Sequence, residues 1–290
     1  MSEPLQLYGG EILLDFEPAH HKYFISENGR RRLVPSVTQC IDLIDRSGPL
    51  TQWSANATVD ALREQILPGQ AYDEVQLEAI FEHARFNFRR IAKRAKSVGS
   101  LAHEWIKAYL KGERKEMPVN EQARNACLAA KAWLDEHFLM CKAEMQVYSR
   151  KYKYAGTLDT VGYVDTWLSV VEWKTSAAIY PEYSLQAAAY KHALVEMKPF
   201  KHASDNIEIP LEHWGENKLD RWIVRLGKDD GAFEAVKLPR GQQGKDFRAF
   251  LGAKALWERL RRNGQPSTKA KKDEPRETVE AMAALDKLED

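Results

Sequence analysis

The stretch that decides the fold runs from Tyr154 to Tyr190 and reads YAGTLDTVGYVDTWLSVVEWKTSAAIYPEYSLQAAAY. Two segments in it, Leu158–Tyr163 and Leu168–Trp173, are rich in the β-branched and aromatic residues typical of strands. A turn signal at Asp165-Thr166 separates them, and a helical pattern follows from Pro181 to Met197. Two adjacent strands followed by a helix are typical of an α/β domain.

Three ionisable residues lie where these two strands come together. Asp159 is on the first strand, and Glu172 and Lys174 end the second, 13 and 15 residues later. Residues i and i+2 of a strand face the same side, so Glu172 and Lys174 project together from the end of a buried strand. The hairpin brings Asp159 beside them. The spacing therefore predicts that two carboxylates and an ammonium group converge.

This combination has a functional interpretation and a structural one. Two carboxylates suit Mg²⁺, which prefers oxygen ligands, while the lysine would orient or deprotonate a bound water. Alternatively, Glu172 and Lys174 form an ion pair across an edge strand. Glu-x-Lys alone is not specific, since it recurs at 113–115, 196–198 and 216–218. Burying charges in an apolar strand is costly unless they are paired or bind a metal, and Asp159 adds a second negative charge.

The stretch from Tyr154 to Tyr190 resembles the PD-(D/E)xK nuclease superfamily in its RecB-like exonuclease branch. The motifs are G-T-L-D, then E-W-K-T-S, then L-Q-A-A-A-Y. The resemblance implies a catalytic set of Asp159, Glu172, Lys174, Gln186 and Tyr190. Leu158 replaces the proline of the superfamily name. From spacing alone, Gln186 and Tyr190 share a helix face and could be ordinary packing residues.

The resemblance extends upstream of these motifs. Gly99 to His103 is similar to the G-x-x-x-H helix of the branch, whose histidine joins Asp159 and Glu172 as a metal ligand. Without the resemblance, His103 would be interpreted as a structural histidine. Glu144 matches a less constant accessory acid. The segment HHKYFISENGRRRLVPSVT, residues 20–38, is similar to the start of phage-type exonucleases and of the mitochondrial genome-maintenance exonuclease.

The resemblance implies a restriction-endonuclease-like fold, with a central mixed sheet flanked by helices. It implies a metal-dependent DNA exonuclease using Mg²⁺ or Mn²⁺, acting in phage or prophage recombination or in end processing. An iron–sulfur cluster is not implied, because the four-cysteine cluster of some relatives is missing. A structure-specific or restriction-like endonuclease and a catalytically silent DNA-binding protein remain alternatives. A single-strand annealing or recombination partner and a homo-oligomer remain open.

The charge distribution indicates where DNA would bind. Residues 1–84 hold 6 Lys/Arg and 13 Asp/Glu, a net charge of −7, whereas residues 85–115 hold 10 and 2, a net charge of +8. The basic segment RFNFRRIAKRAK, residues 85–96, has one apolar stripe, so we expect one helix with a buried face and a cationic face. A solvated surface helix is the alternative. The candidate phosphate-binding residues are Arg85, Arg89, Arg90, Lys93, Arg94 and Lys96.

Composition and pattern set the remaining expectations. The chain of 290 residues has a formal charge of +1, which excludes a basic histone-like protein. It has no apolar run of membrane-spanning length, no leader pattern and three scattered cysteines, so a cytoplasmic protein (host cytoplasm, if phage-encoded) is expected. We predict a β-hairpin in 12–34 and a helical region, together 1–139, lining the active site and DNA groove. A nuclease core in 140–264 and a mobile polar tail in 265–290 complete the organisation.

Overall fold

A computed structural model describes residues 4–197, 213–215 and 217–262. The predicted tail, 265–290, lies outside these residues. None of the described helices combines the length and apolar character needed to cross a bilayer. In chain order the elements are β1 (Leu5–Leu7), β2 (Ile12–Glu17), β3 (Lys22–Glu27), β4 (Arg30–Val34), α1 (Val37–Ile41), α2 (Ser47–Gln65), α3 (Glu74–Arg85), α4 (Asn87–Leu110), α5 (Glu121–His137), β5 (Phe138–Ser149), β6 (Tyr154–Val164), β7 (Trp167–Lys174), α6 (Glu182–Met197), β8 (Asp220–Leu226), β9 (Phe233–Leu238) and α7 (Gln243–Arg262).

The central sheet has five strands in the order β5-β6-β7-β8-β9. All neighbouring pairs are antiparallel except β7 and β8, which are parallel. Parallel neighbours need a crossover, and α6 lies in the connection between β7 and β8. The expected α/β class with a mixed sheet is therefore confirmed.

Besides the turn at Asp165-Thr166, the sequence predicts turns at 154–156 and at 228–231, and two of these three turns are confirmed. Asp165 has a φ of 55° between β6 and β7, and Gly231 has a φ of 68° between β8 and β9. The turn expected at 154–156 is wrong. Those residues already pair with β5, and the chain reverses at 150–153, where Lys153 has a φ of 56°. Tyr154 and Ala155 are fully buried, and their burial favours strand over turn.

The N-terminal region is more extensive than the predicted hairpin. β1 to β4 form a four-stranded antiparallel sheet, with the predicted turn at Asn28 and Gly29, both at positive φ. Alternate residues of this sheet, such as Leu14 and Ile25, are buried in one apolar cluster with α6, α7 and one face of the central sheet. The two sheets therefore share a hydrophobic core.

The opposite face of the central sheet is covered by α4 and α5. Trp133 of α5 meets Trp173 of β7 edge to face, with ring centroids 5.3 Å apart. The indole of Trp173 also donates to Thr160 Oγ1 at 2.9 Å. Trp173 is therefore buried behind the predicted site, as its alternation with Glu172 requires.

The basic segment differs from the single amphipathic helix expected for 85–96. α3 ends at Arg85 and α4 begins at Asn87, because Phe86 leaves helical geometry with φ −104° and ψ 4°. The Asn87 amide then donates to the Ala57 carbonyl of α2, a tertiary contact that supports the break. Phe81 and Ile91, which the helical spacing of apolar residues assigns to the buried stripe, are 48% and 42% exposed. Placing Arg85 on the same helix as the other basic residues was wrong.

Candidate active site

Asp159 and Glu172 occupy a fork where two central strands separate. The ladder between β6 and β7 ends at the pair Thr160 and Val171. Just beyond it, carboxylates replace the ladder bonds. Asp159 Oδ2 accepts the Trp173 backbone N–H at 3.0 Å, and Glu172 Oε1 accepts the Asp159 N–H at 3.4 Å. The two acidic side chains are thus held by each other's strand.

Lys174 completes the cluster predicted from the sequence. Its ammonium group donates to Glu172 Oε2 at 3.2 Å and to Gln186 Oε1 at 2.9 Å. Glu172 and Lys174 do form the ion pair of the structural alternative, but its position on an edge strand is wrong, because β7 is the third of five strands. Glu172 is 1% exposed, so this pair lies in the interior at the end of a central strand.

Gln186 and Tyr190 enter the cluster from α6. The Gln186 amide donates to the Tyr190 hydroxyl at 3.4 Å while its oxygen accepts from Lys174. Gly156 of β6 makes room for the tyrosine, because a Cβ there would lie 2.5 Å from Tyr190 Cε1. The glycine of G-T-L-D therefore has a steric explanation, since no side chain fits beneath this ring.

His103 reaches the cluster from α4 on the opposite side. Its Nδ1 lies 3.4 Å from Asp159 Oδ1. One turn earlier, Gly99 faces the loop after β7, where a Cβ would lie 3.1 Å from Thr175 Oγ1. The small residue at position 99 allows α4 to approach the strand end, and His103, four residues later on the same helix face, then points at Asp159.

Glu144 lies beside this cluster without joining it. It is on β5 with a φ of 49°, and its carboxylate forms an ion pair with Lys107 of α4. Both residues line a narrow cavity of about 10 Å³, together with His103 and Asp159. That volume is roughly what one water molecule needs. The accessory acid is therefore within reach of the site but is neutralised by a lysine.

Burial and mutual charge give the two carboxylates different protonation behaviour. Burial, reinforced by the charge of Asp159, raises the pKa of Glu172 to about 8. Burial also acts against ionisation of Asp159, but His103 and Lys174 outweigh it and lower the pKa of Asp159. For Lys174, burial is outweighed by the two carboxylates, so its pKa is raised. Near neutral pH, Glu172 therefore keeps a proton at a position where a bound cation could balance its negative charge instead.

A divalent cation fits the donor types here, although the side chains are not arranged around one. In the described part of the chain, no three His, Cys, Asp or Glu side chains are already arranged so that they could hold a metal ion together. Glu172 is turned toward Lys174 and Asp159 toward Trp173 N–H. The two carboxylates are nevertheless suitable ligands for Mg²⁺ or Mn²⁺, and the imidazole of His103 adds a nitrogen donor beside them. The raised pKa of Glu172 means that the site favours additional positive charge.

The candidate phosphate-binding residues all lie on the surface outside this cluster. Arg85, Arg89, Arg90, Lys93, Arg94 and Lys96 are exposed. Arg85 pairs with Glu82, and Arg90 donates to the His83 carbonyl. The other four form no ion pair with a described carboxylate. Five of the six are on α4, the helix that carries His103.

Two residues at the site were not predicted from the sequence. The ring of Tyr183 lies 4.9 Å from Lys174 Nζ, and Lys107 pairs with Glu144. Spacing could have identified both, because Tyr183 is three residues before Gln186 and Lys107 four after His103.

Comparison with models of protein families gives no match for this chain, and comparison with curated proteins gives none either.

Proposed function

We propose that this protein is a metal-dependent DNA exonuclease of the PD-(D/E)xK type, with a restriction-endonuclease-like fold. The observation that carries the proposal is the convergence of Asp159, Glu172 and Lys174 at the end of a central strand. A solely structural cluster gives no reason for two carboxylates to share a buried position. The mixed sheet flanked by helices agrees with the fold that the motif resemblance implies.

The bound cation would be Mg²⁺ or Mn²⁺, held by Asp159, Glu172 and His103. It would acidify a water and offset negative charge on the scissile phosphate. The pKa of Glu172 is raised to about 8 by burial and by Asp159, so a bound cation would favour the ionised form of this carboxyl. Ligand binding and ionisation of Glu172 are therefore coupled.

The chain's own residues supply orientation and a positive charge. Lys174 is held by Gln186 at 2.9 Å, so its ammonium group is fixed in place for a phosphate oxygen or the attacking water. Tyr190 holds Gln186 in turn. His103, 33% exposed at its side chain, lies on the more open side of the cluster, where a substrate strand could enter.

The first experiment measures release of nucleotides from end-labelled linear DNA with Mg²⁺ or Mn²⁺. Asp159→Asn, Glu172→Gln and Lys174→Gln should each abolish hydrolysis while the protein stays folded by circular dichroism. Glu113→Gln and Lys115→Gln are the matched control, since they alter another Glu-x-Lys in an exposed segment. Full activity in any one of the three site variants would contradict the proposal.

The choice between exonuclease and endonuclease depends on whether a DNA end is needed. The described elements are the two sheets, the helices that cover them, and α2 and α3, which pack on each other and on α4. None of these described elements forms a separate module for reading base edges in the major groove. We therefore expect linear DNA to be degraded and covalently closed circles to survive. Discrete fragments, or linearised circles, would favour the endonuclease alternative. Tight binding without hydrolysis in either metal would favour the catalytically silent one.

A further inference from the structure

A second surface feature lies away from the proposed site. An open groove of about 290 Å³ is formed by β4, the turn between β5 and β6, and the last turns of α7. Its polar and aromatic lining consists of Arg32, Lys153, Trp257, Glu258 and Arg261. Lys153 comes directly before β6 and six residues before Asp159. Because a strand rises about 3.3 Å per residue, the groove is about 20 Å from the carboxylate cluster.

The charge of this groove is positive. Its one carboxylate, Glu258, pairs with Lys254 at 2.6 Å. Arg32 is paired with Glu27, whereas Lys153 and Arg261 form no ion pair with any described carboxylate. Lys153, from the turn between β5 and β6, and Arg261, from α7, are therefore available to an anion, and phosphate is an anion that such a pair of cations suits.

The groove also has an aromatic wall. Trp257 is half-buried, and the guanidinium group of Arg261 lies over its ring, with the guanidinium carbon 4.6 Å from the ring centroid. An aromatic ring beside cations is the combination that binds single-stranded nucleic acid, because the ring stacks on a base while the cations hold the phosphate. The volume is close to the lower limit of ligand pockets, about 300 Å³, which suits one nucleotide.

We propose that this groove binds one nucleotide of a single-stranded nucleic acid, at a distance from the cleavage site. The exposed side chain of Arg261 leaves the face of Trp257 and holds the phosphate together with Lys153, and a base takes its place on the ring. The strand must be unpaired there, because base faces in a duplex are covered by their neighbours. The proposal goes beyond hydrolysis, since it needs no metal and no catalytic residue.

The test is equilibrium binding of a thymidine oligonucleotide in chelator, where hydrolysis cannot occur. The double variant Lys153→Asn/Arg261→Gln should bind roughly tenfold more weakly, with the slope of log affinity against log salt reduced by about 0.7, the value for one phosphate contact on a single strand. Asparagine tolerates the positive φ at position 153. Arg259→Gln is the matched control, an exposed arginine of α7 outside the groove. Arg32 stays unchanged because it also holds Glu27 and the Tyr148 hydroxyl.

A second arm separates base stacking from simple anion binding. Trp257→Leu should weaken binding of the thymidine oligonucleotide roughly tenfold and should leave the affinity for an abasic oligonucleotide of equal length unchanged. Affinities of the groove variants equal to that of Arg259→Gln would overturn the proposal. The proposal would also be overturned if inorganic phosphate displaced the oligonucleotide completely and the abasic strand bound as tightly as the thymidine oligonucleotide. Hydrolysis is measured separately. A negative binding result would therefore not contradict the proposed nuclease activity, and absence of nuclease activity would not contradict nucleotide binding in the groove.

Discussion

Gly156 shows how much of the site depends on one missing methyl group. A Cβ at this position would lie 2.5 Å from Tyr190 Cε1, closer than packed atoms approach. Gly156→Ala must therefore push the Tyr190 ring aside, and we expect a loss of about 1–3 kcal/mol in the free energy of unfolding. Nuclease activity should fall as well, because Tyr190 holds Gln186 and Gln186 holds Lys174.

The matched control for this substitution is Gly252→Ala in α7. Nothing lies within 4 Å of a Cβ at that position, and alanine favours a helix by about 0.5–1 kcal/mol over glycine. Thermal unfolding should thus show a lower midpoint for Gly156→Ala and an unchanged or higher one for Gly252→Ala. Equal midpoints for the two variants would mean that Tyr190 is not confined by Gly156.

Asp220 provides a pH dependence of stability with a defined sign. Burial alone would raise the pKa of Asp220, but Arg240 and Lys237 outweigh it and lower the pKa. The unfolded chain, with a pKa of about 3.9, then takes up its proton first as the pH falls. The stabilisation is present above that value and is lost as the pH falls through the lower, folded-state pKa.

We therefore expect Asp220→Asn to lower the free energy of unfolding by about 1–3 kcal/mol at neutral pH. The difference from the unsubstituted protein should shrink in acid, as both forms become uncharged at position 220. Urea unfolding of both proteins at a series of pH values between neutral and about 3 measures this difference in the free energy of unfolding. A constant difference over that range would show that the charge of Asp220 contributes nothing.

At the scale of elements, α4 links the basic surface to the proposed site. Arg89, Lys96 and His103 are spaced by seven residues, so on a helix of 3.6 residues per turn they lie within about 40° of one another. Arg90 and Arg94 lie about 140–180° from His103 on the same helix. A strand that enters the site past His103 would meet the first two cations and not the second two.

This division makes a prediction with an internal control. Arg89→Gln/Lys96→Gln should weaken DNA binding and reduce the slope of log affinity against log salt by about 1.4–1.8. Arg90→Gln/Arg94→Gln removes the same charge from the other side and should leave the slope nearly unchanged. Titrations in chelator over a range of salt concentrations measure both. Equal effects of the two pairs would mean that net charge, and not the α4 face, attracts the DNA.

At the scale of the whole molecule, the N-terminal sheet and the central sheet share one apolar cluster. Ile25 is fully buried in it, so Ile25→Ala should lower the free energy of unfolding by about 2–5 kcal/mol. Leu13→Ala, on a 37% exposed position of the same sheet, should cost far less. None of the eight tryptophans lies in β1 to β4, and Trp133 and Trp173 lie on the far face of the central sheet, so tryptophan fluorescence reports mainly on elements outside the N-terminal sheet.

If the shared core makes the two sheets unfold together, Ile25→Ala should shift the fluorescence transition in urea as much as the circular dichroism transition. An unshifted fluorescence transition, with a separate early change in circular dichroism, would mean that the N-terminal sheet unfolds independently.

The sequence by itself determined the parts of this protein that follow from backbone periodicity over short separations. The two-residue repeat of a strand placed Glu172 beside Lys174, the hairpin turn at Asp165 brought Asp159 to them, and the four-residue helical spacing aligned Gln186 with Tyr190. Each of these relations needs only the regular geometry of one element or one turn, which a short window of residues specifies.

Only the tertiary structure decided which distant elements meet. The break at Phe86, the packing of the N-terminal sheet with α6 and α7, and the approach of α4 to β7 at Gly99 depend on packing between segments far apart in the chain. Such packing has no local signature, because many partners could cover the same apolar face. His103 was placed at the site through the motif resemblance, and the groove of Lys153 and Arg261 had no sequence signal, since a turn and a helix end form it.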